Sequence, residues 1–430
     1  MSGVVAGQGP VQGTVAPGFE SVKRLYERET EAMAEQHTQL CVYHRGERVV
    51  DLWRSTPDDT EFSADSLVNV FSSGKSLESL PIASLVGRGL LDYDARIADY
   101  WPEFADNGKG EVTVADLMRH EAGLATFDVS IPPEDLLPER IKQNRVGEVI
   151  ENQPGRWPKG DRGPREYHAI TRGWIINELH RRVDPAGRTL GEWLQDEISG
   201  PLDADAFIGV AAEELPRVAP VVPLGIGYQL RQSLKPKALG RRIKNSFFEL
   251  FVRLLRAIVG LRNATTRGAP PMYVGMENLG FFNEVSVARG ETSSAAANCS
   301  ARGLAKIAAL MAAGGTWEGR EFLSPQALDA LHADPVRAPM IGTASTFTQG
   351  GVNQFSGVGP KANGTERAFN EGREGFYGWM GLGGSIFQWH PDCEIGFAFV
   401  PTALHLFDML NERGKVYQAE VLRCVAELPQ

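Results

Sequence analysis

The stretch VNVFSSGKSLESL, residues 68–80, sets Ser72 and Lys75 three positions apart at the opening of a helical run. On a helix that spacing brings both side chains to one face, so a hydroxyl and an amine meet. Serine holds its proton too tightly to attack a carbonyl at neutral pH; an amine whose pKa is lowered by burial accepts that proton as attack begins. A chain of this composition should show about one S-x-x-K by chance, and no other lysine here has serine three residues before it. Taken alone, the motif also fits a helix start capped by Ser72 or Ser73.

Upstream, residues 17–36 carry Phe19, Val22, Leu25, Tyr26 and Met33 at mostly helical spacing, and two short β runs, QLCVYHRG and ERVVDLWR, join around Arg45-Gly46. The far end mirrors this: GSIFQWH and EIGFAFV are strand-like runs broken by Pro391-Asp392, and 406–427 reads as a closing helix. The economical packing is one antiparallel sheet made from both chain ends, with the terminal helices on one face. The class is α+β: residues 1–75 and 331–430 supply mainly the sheet part and 76–330 a mainly helical part of one 430-residue catalytic unit. Downstream of the serine, a Pro/Gly-rich loop presents Tyr167 just ahead of a helix, and EGFYGWMGLGGSIF is a glycine-dense approach to a strand, expected at a sheet edge with free N–H groups.

With 42% hydrophobic and 23% charged residues the composition is that of an ordinary globular protein. A net charge of -10 repels nucleic acid. Cys41, Cys299, Cys393 and Cys424 lie far apart without metal-ligand spacing and read as buried, reduced thiols. With no signal or transit pattern at the start and no apolar run of about 18 residues, the expected compartment is the cytoplasm. No nucleotide-binding glycine motif is present, so no cofactor is expected, and no metal. Residues 231–262 carry nine Lys or Arg against one acid, Glu249, with Phe247, Phe248, Phe251, Leu254, Leu255 and Ile258 on one helical stripe. They read as a basic amphipathic helix, either packed over the cleft or making peripheral membrane contact.

Read together, CVYHRGERVVDLW, FSSGKS, GLLDYDARIADYWPEF, VTVADLMRHEAGL, YHAITRGW, EISGPL and GWMGLGGSIF resemble the serine β-lactamase/penicillin-binding-protein superfamily, and within it the class C-like esterases called family VIII carboxylesterases. The resemblance implies a β-lactamase/transpeptidase-like fold and an acyl-enzyme on Ser72, with Lys75 and Tyr167 sharing the general base and acid roles. It places the oxyanion hole at the backbone N–H groups of Ser72 and Leu382; the expected substrate contacts are Trp379 and Gly381 on the glycine-rich strand and His168, which flanks Tyr167.

Two departures from the family pattern bear on the substrate. Its Tyr-x-Asn reads Tyr167-His168-Ala169 here, and its Lys-Thr-Gly reads Trp379-Met380-Gly381, so the cation that meets a β-lactam or peptide carboxylate is missing. An unpaired carboxylate in an apolar cleft costs several kcal/mol, so a small, neutral ester is the expected substrate, unless Arg373 replaces the charge. The alternatives are β-lactamase or D-Ala-D-Ala peptidase activity, or a non-catalytic binding protein of the same fold. Without a G-x-S-x-G elbow a Ser-His-Asp hydrolase is disfavoured, and His120 reads as structural. Trp157, Trp174 and Tyr377 read as core. The sequence does not set an oligomeric state.

Overall fold

Arg45 and Gly46 both adopt positive φ, 51° and 78°, a turn whose twist suits antiparallel strands. The computed structural model describes residues 8–156, 165–260 and 268–429; Trp157 and the end of the 231–262 segment lie outside them. From the N-terminal end come β1 (Gln12–Val15), β2 (Thr38–His44) and β3 (Glu47–Arg54). The later part of the chain adds β4 (Val336–Met340), β5 (Thr343–Phe347), β6 (Asn353–Gln354), β7 (Tyr377–Met380), β8 (Ile386–His390) and β9 (Ile395–Pro401). They form one antiparallel nine-stranded sheet in the order β1-β3-β2-β9-β8-β7-β6-β5-β4. The two chain ends meet where β9 pairs with β2, Phe397 opposite Val42.

Alternation along the strands divides the core. Leu40, Val42, Ile386, Phe397 and Phe399 pack with α1 (Glu20–Ala32) and the C-terminal helix, while Cys41, Tyr43, Phe387, Trp389 and Ala398 face the opposite layer. Tyr26 of α1 and Tyr417 of the C-terminal helix meet at 5.6 Å between ring centres. On the opposite face lie α2 (Lys75–Gly87), α3 (Thr171–Val183) and α5 (Ala301–Ala312), of which α5 presses on β9 so closely that a Cβ at Gly396 would fall 2.3 Å from the Ala309 nitrogen; α4 (Phe247–Gly260) lies apart from them, its Arg253 paired with Glu412 at the start of the C-terminal helix. The C-terminal helix is α6 (Glu412–Glu427).

Three expectations about elements are corrected. The closing helix starts at Glu412 rather than 406, because the Asp408 carboxylate accepts from the Glu412 and Arg413 amides at 2.8 and 3.1 Å and Asn411 turns at φ 49°. The residues before it form a loop. The basic segment is broken into a helix over Ile226–Ser233 and then α4, with Pro236 and Gly240 (φ 75°) between them. β7 is interior, between β8 and β6; its pairing with β6 covers only Tyr377 and Gly378, and the strand is open beyond that. Among the described residues no helix is long and apolar enough to cross a membrane.

Candidate active site

Ser72 lies in a single 3-10 turn, Phe71–Gly74, that runs straight into α2. Phe71 is held at φ 46°, a conformation costly for a bulky side chain, and its amide donates to Asn69 Oδ1 at 2.8 Å. Ser385 locks the turn to the sheet: its Oγ lies 3.0 Å from Ser73 Oγ and donates to the Val70 carbonyl at 2.6 Å. One turn further on, Ser76 Oγ accepts from the Trp379 amide at 3.0 Å. The serine turn and β7 are thus fixed to each other.

The three groups expected to act together do converge. Tyr167 Oη is 2.5 Å and Lys75 Nζ 3.3 Å from Ser72 Oγ. Lys75 is fully buried, and Nζ also donates to the carbonyls of Ala169 (2.7 Å) and Ser294 (2.8 Å). Burial holds its pKa well below the ordinary lysine value, and the Arg172 guanidinium adds to the depression while Glu78 opposes it. A neutral amine would give its two N–H groups to those two carbonyls, leaving its lone pair for the serine proton. Burial pushes the Tyr167 phenol up to about 12, with the bond to Ser72 opposing. It is therefore protonated at neutral pH.

The environment of these groups includes a buried cluster that sequence reasoning missed. Glu78, one turn after Lys75 on α2, pairs with Arg172 of α3 at 2.5 Å, both with side chains at 0% exposure. Ser293 and Ser294 donate to the same carboxylate, and Arg172 reaches the carbonyls of Met118, Gly351 and Lys75. The signal available was Glu78 itself, the one acid in a helical run of otherwise small, hydroxyl and apolar side chains after Lys75.

His168, expected to contact substrate, is fully buried and does not line the cleft. Its Nδ1 bonds the Glu166 carbonyl at 2.7 Å, its Nε2 accepts from the Leu124 amide at 3.1 Å, and its own amide donates to His120 Nδ1 at 3.1 Å. Both ring nitrogens are spent fixing the loop that carries Tyr167. His120 is the structural histidine expected, ringed by Tyr167, Phe347 and Trp379.

A cleft of about 270 Å³ opens over Ser72 and Tyr167. Trp379 forms one wall, stacked on Tyr167 and Phe347 at 5.9 and 5.0 Å and pinned by a 2.7 Å bond from Nε1 to the Gly351 carbonyl. Gly381 is required where it stands: a Cβ would lie 2.2 Å from both Ser385 Oγ and the Val70 carbonyl. Beside it the Leu382 amide, like that of Ser72, has no hydrogen-bond partner among the described residues. Trp174 and Tyr377 lie outside the cleft, as core. Helix α4 adds a wall through Arg253 and Arg256, as one reading of the basic segment expected; the walls from the β4–β5 hairpin and the loop before α6 were not foreseen, and the Ile341-Gly342 turn, φ 49° and 80°, was the legible sign of the hairpin.

The expected absence of a cation is also revised. Arg373 is buried outside the cleft, donating to the Leu410 and Asn411 carbonyls, but Arg253 and Arg256 of α4 line it. Arg253 is neutralised by Glu412 at 2.7 Å, whereas Arg256 meets the neutral oxygens of Asn363 and Thr365. Among the described residues no cluster of His, Cys, Asp or Glu is arranged to hold a metal ion.

The Beta-lactamase family profile matches residues 25–419. The chain belongs to this family. It is 30% identical over 371 residues to the esterase/beta-lactamase LipL of Mycobacterium tuberculosis, an alignment covering 85% of this chain and 76% of that protein. Its fold matches a penicillin-binding protein homolog from Caulobacter crescentus, with TM-score 0.71 and 25% identity, and a family VIII carboxylesterase, with TM-score 0.71 and 24% identity. Both alignments cover 96% of this chain and 100% of the other. The chain is a serine hydrolase of the β-lactamase fold.

Proposed function

We propose that this hydrolase cleaves small carboxylic esters through an acyl-enzyme on Ser72. The observation that carries the reading is one serine oxygen within 2.5 Å of a phenol and 3.3 Å of a buried amine, at the floor of a largely apolar cleft. Ser72 Oγ attacks the ester carbonyl while its proton passes to neutral Lys75 Nζ. The oxyanion is held by the N–H groups of Ser72 and Leu382. Tyr167 gives its proton to the departing alkoxide, and the phenolate so formed takes a proton from water as that water attacks the acyl carbon. Lys75 returns its proton to Ser72 Oγ, which closes the cycle with every group restored. Lys75 rather than Tyr167 is the first base, because burial favours the neutral form of each and only a neutral amine accepts a proton.

Trp379-Met380-Gly381 puts an aromatic ring, not a lysine, beside the reacting centre, which favours neutral acyl groups. Free thiols at all four cysteines, three of them buried and Cys393 half-buried, accord with a cytoplasmic setting. One observation favours a second reading: Arg256 at the cleft wall would meet the carboxylate of a β-lactam. Release of nitrophenol from p-nitrophenyl butyrate, compared with nitrocefin turnover, decides between them. We expect faster ester turnover that disappears in Ser72→Ala; faster nitrocefin turnover, weakened by Arg256→Ala, would establish the second reading instead.

A further inference from the structure

Helix α4 is turned opposite to what a core helix requires. Its Arg253 and Arg256 point to the protein and the cleft, while Phe248 is 74% exposed, Leu254 56% and Ile258 57%, with Phe247, Phe251 and Leu255 also exposed. At about 100° per residue these six apolar side chains occupy roughly one third of the helix circumference. A contiguous apolar face of this kind on a chain of net charge -10 marks a binding surface rather than ordinary surface scatter.

The neighbouring segment says what binds. Leu234 and Leu239 are also exposed, and between and beside them Arg231, Lys235 and Lys237 are exposed with no ion pair among the described residues. Cations flanking an outward apolar stripe match a sheet of anionic headgroups over acyl chains, the cations meeting phosphate while the phenylalanines and leucines enter the hydrocarbon boundary.

We infer that α4 with residues 231–239 is a docking surface for an anionic lipid bilayer. Because the opposite side of α4 lines the cleft, a docked bilayer lies about one helix diameter, roughly 10 Å, from the cleft wall, and the protein takes its substrate beside the membrane surface. The surface stands on exposure and charge, independently of the ester reading.

The test is co-sedimentation of the full chain with vesicles of phosphatidylcholine alone or mixed with phosphatidylglycerol. Wild type and Ser72→Ala should sediment equally with the mixed vesicles, less in high salt, and hardly at all with phosphatidylcholine. Phe248→Asp/Leu254→Asp should lower the bound fraction at least about tenfold, with p-nitrophenyl acetate hydrolysis unchanged as the check on folding. Lys235→Glu/Lys237→Glu should weaken binding to mixed vesicles only. Equal sedimentation of wild type and Phe248→Asp/Leu254→Asp overturns the inference, as does failure of wild type to bind. A wild-type dimer dispersed by the same substitutions would assign the face to a second copy of the chain and overturn it too. Loss of ester turnover in Ser72→Ala with vesicle binding intact separates this surface from the catalytic reading.

Discussion

Glu78→Gln separates the electrostatic support of the site from its chemistry. The substitution keeps the shape of the side chain but leaves Arg172, fully buried and 2.5 Å away, without its counter-charge. Breaking a buried pair in this way costs about 3–5 kcal/mol. With an unfolding entropy of about 2.1 cal/mol/K per residue, 430 residues give roughly 0.9 kcal/mol/K, so Tm should fall by about 3–6 °C. The same change removes the charge that raises the pKa of Lys75 and leaves the one that lowers it. The acid limb of kcat/KM should therefore move to lower pH, while the plateau rate stays within a few-fold. Calorimetry and a pH-rate series measure both effects. Arg172→Met alone and combined with Glu78→Gln completes a double-mutant cycle, in which the double variant should lose less stability than the sum of the single ones. An unchanged Tm, an additive cycle, or an acid limb displaced upward would refute the assignment of this pair.

In the wild type, activity should rise with pH through the depressed pKa of Lys75, since only the neutral amine accepts the serine proton. The same group's contribution to stability is present above the ordinary value of 10.5 and is lost as pH falls through the folded value, because the unfolded chain then binds the extra proton. Activity flat across the acid range would remove Lys75 as the base. Tyr167→Phe should cut kcat by about 10²- to 10⁴-fold with little change in KM; a larger change in KM than in kcat would make the phenol a binding group only. Gly381→Ala forces a methyl against the Val70 carbonyl and Ser385 Oγ, shifting the Leu382 amide, and should lower kcat by about 10²- to 10³-fold, read by steady-state kinetics on a folded variant.

The parts of the fold that were legible are those written in local period. The Arg45-Gly46 turn, the alternating runs of β2, β3, β8 and β9 and the apolar spacing of α1 each identify their element without reference to the rest of the chain. The serine, the lysine and the tyrosine were legible because chemistry restricts their residue types. The remainder of the site depends on contacts across long stretches of chain. Glu78 and Arg172 are 94 positions apart and their pairing leaves no spacing to read. His168 sits beside Tyr167 in sequence, yet it points into the interior and holds the loop through its ring nitrogens. The walls from β4, β5 and the loop before α6 belong to segments whose weak period says little about where they pack. The apolar stripe of α4 was plain in the sequence; which side faced out was not, because the ion pair from Arg253 to Glu412 turns the charged side inward.

Intact-mass and peptide analysis after a fluorophosphonate is added bears most directly on the acyl-enzyme. One phosphonyl group should appear on the peptide holding Ser72, rapidly in wild type and far more slowly in Lys75→Ala. Labelling at another residue, or full ester turnover by Ser72→Ala, would contradict the nucleophile proposed.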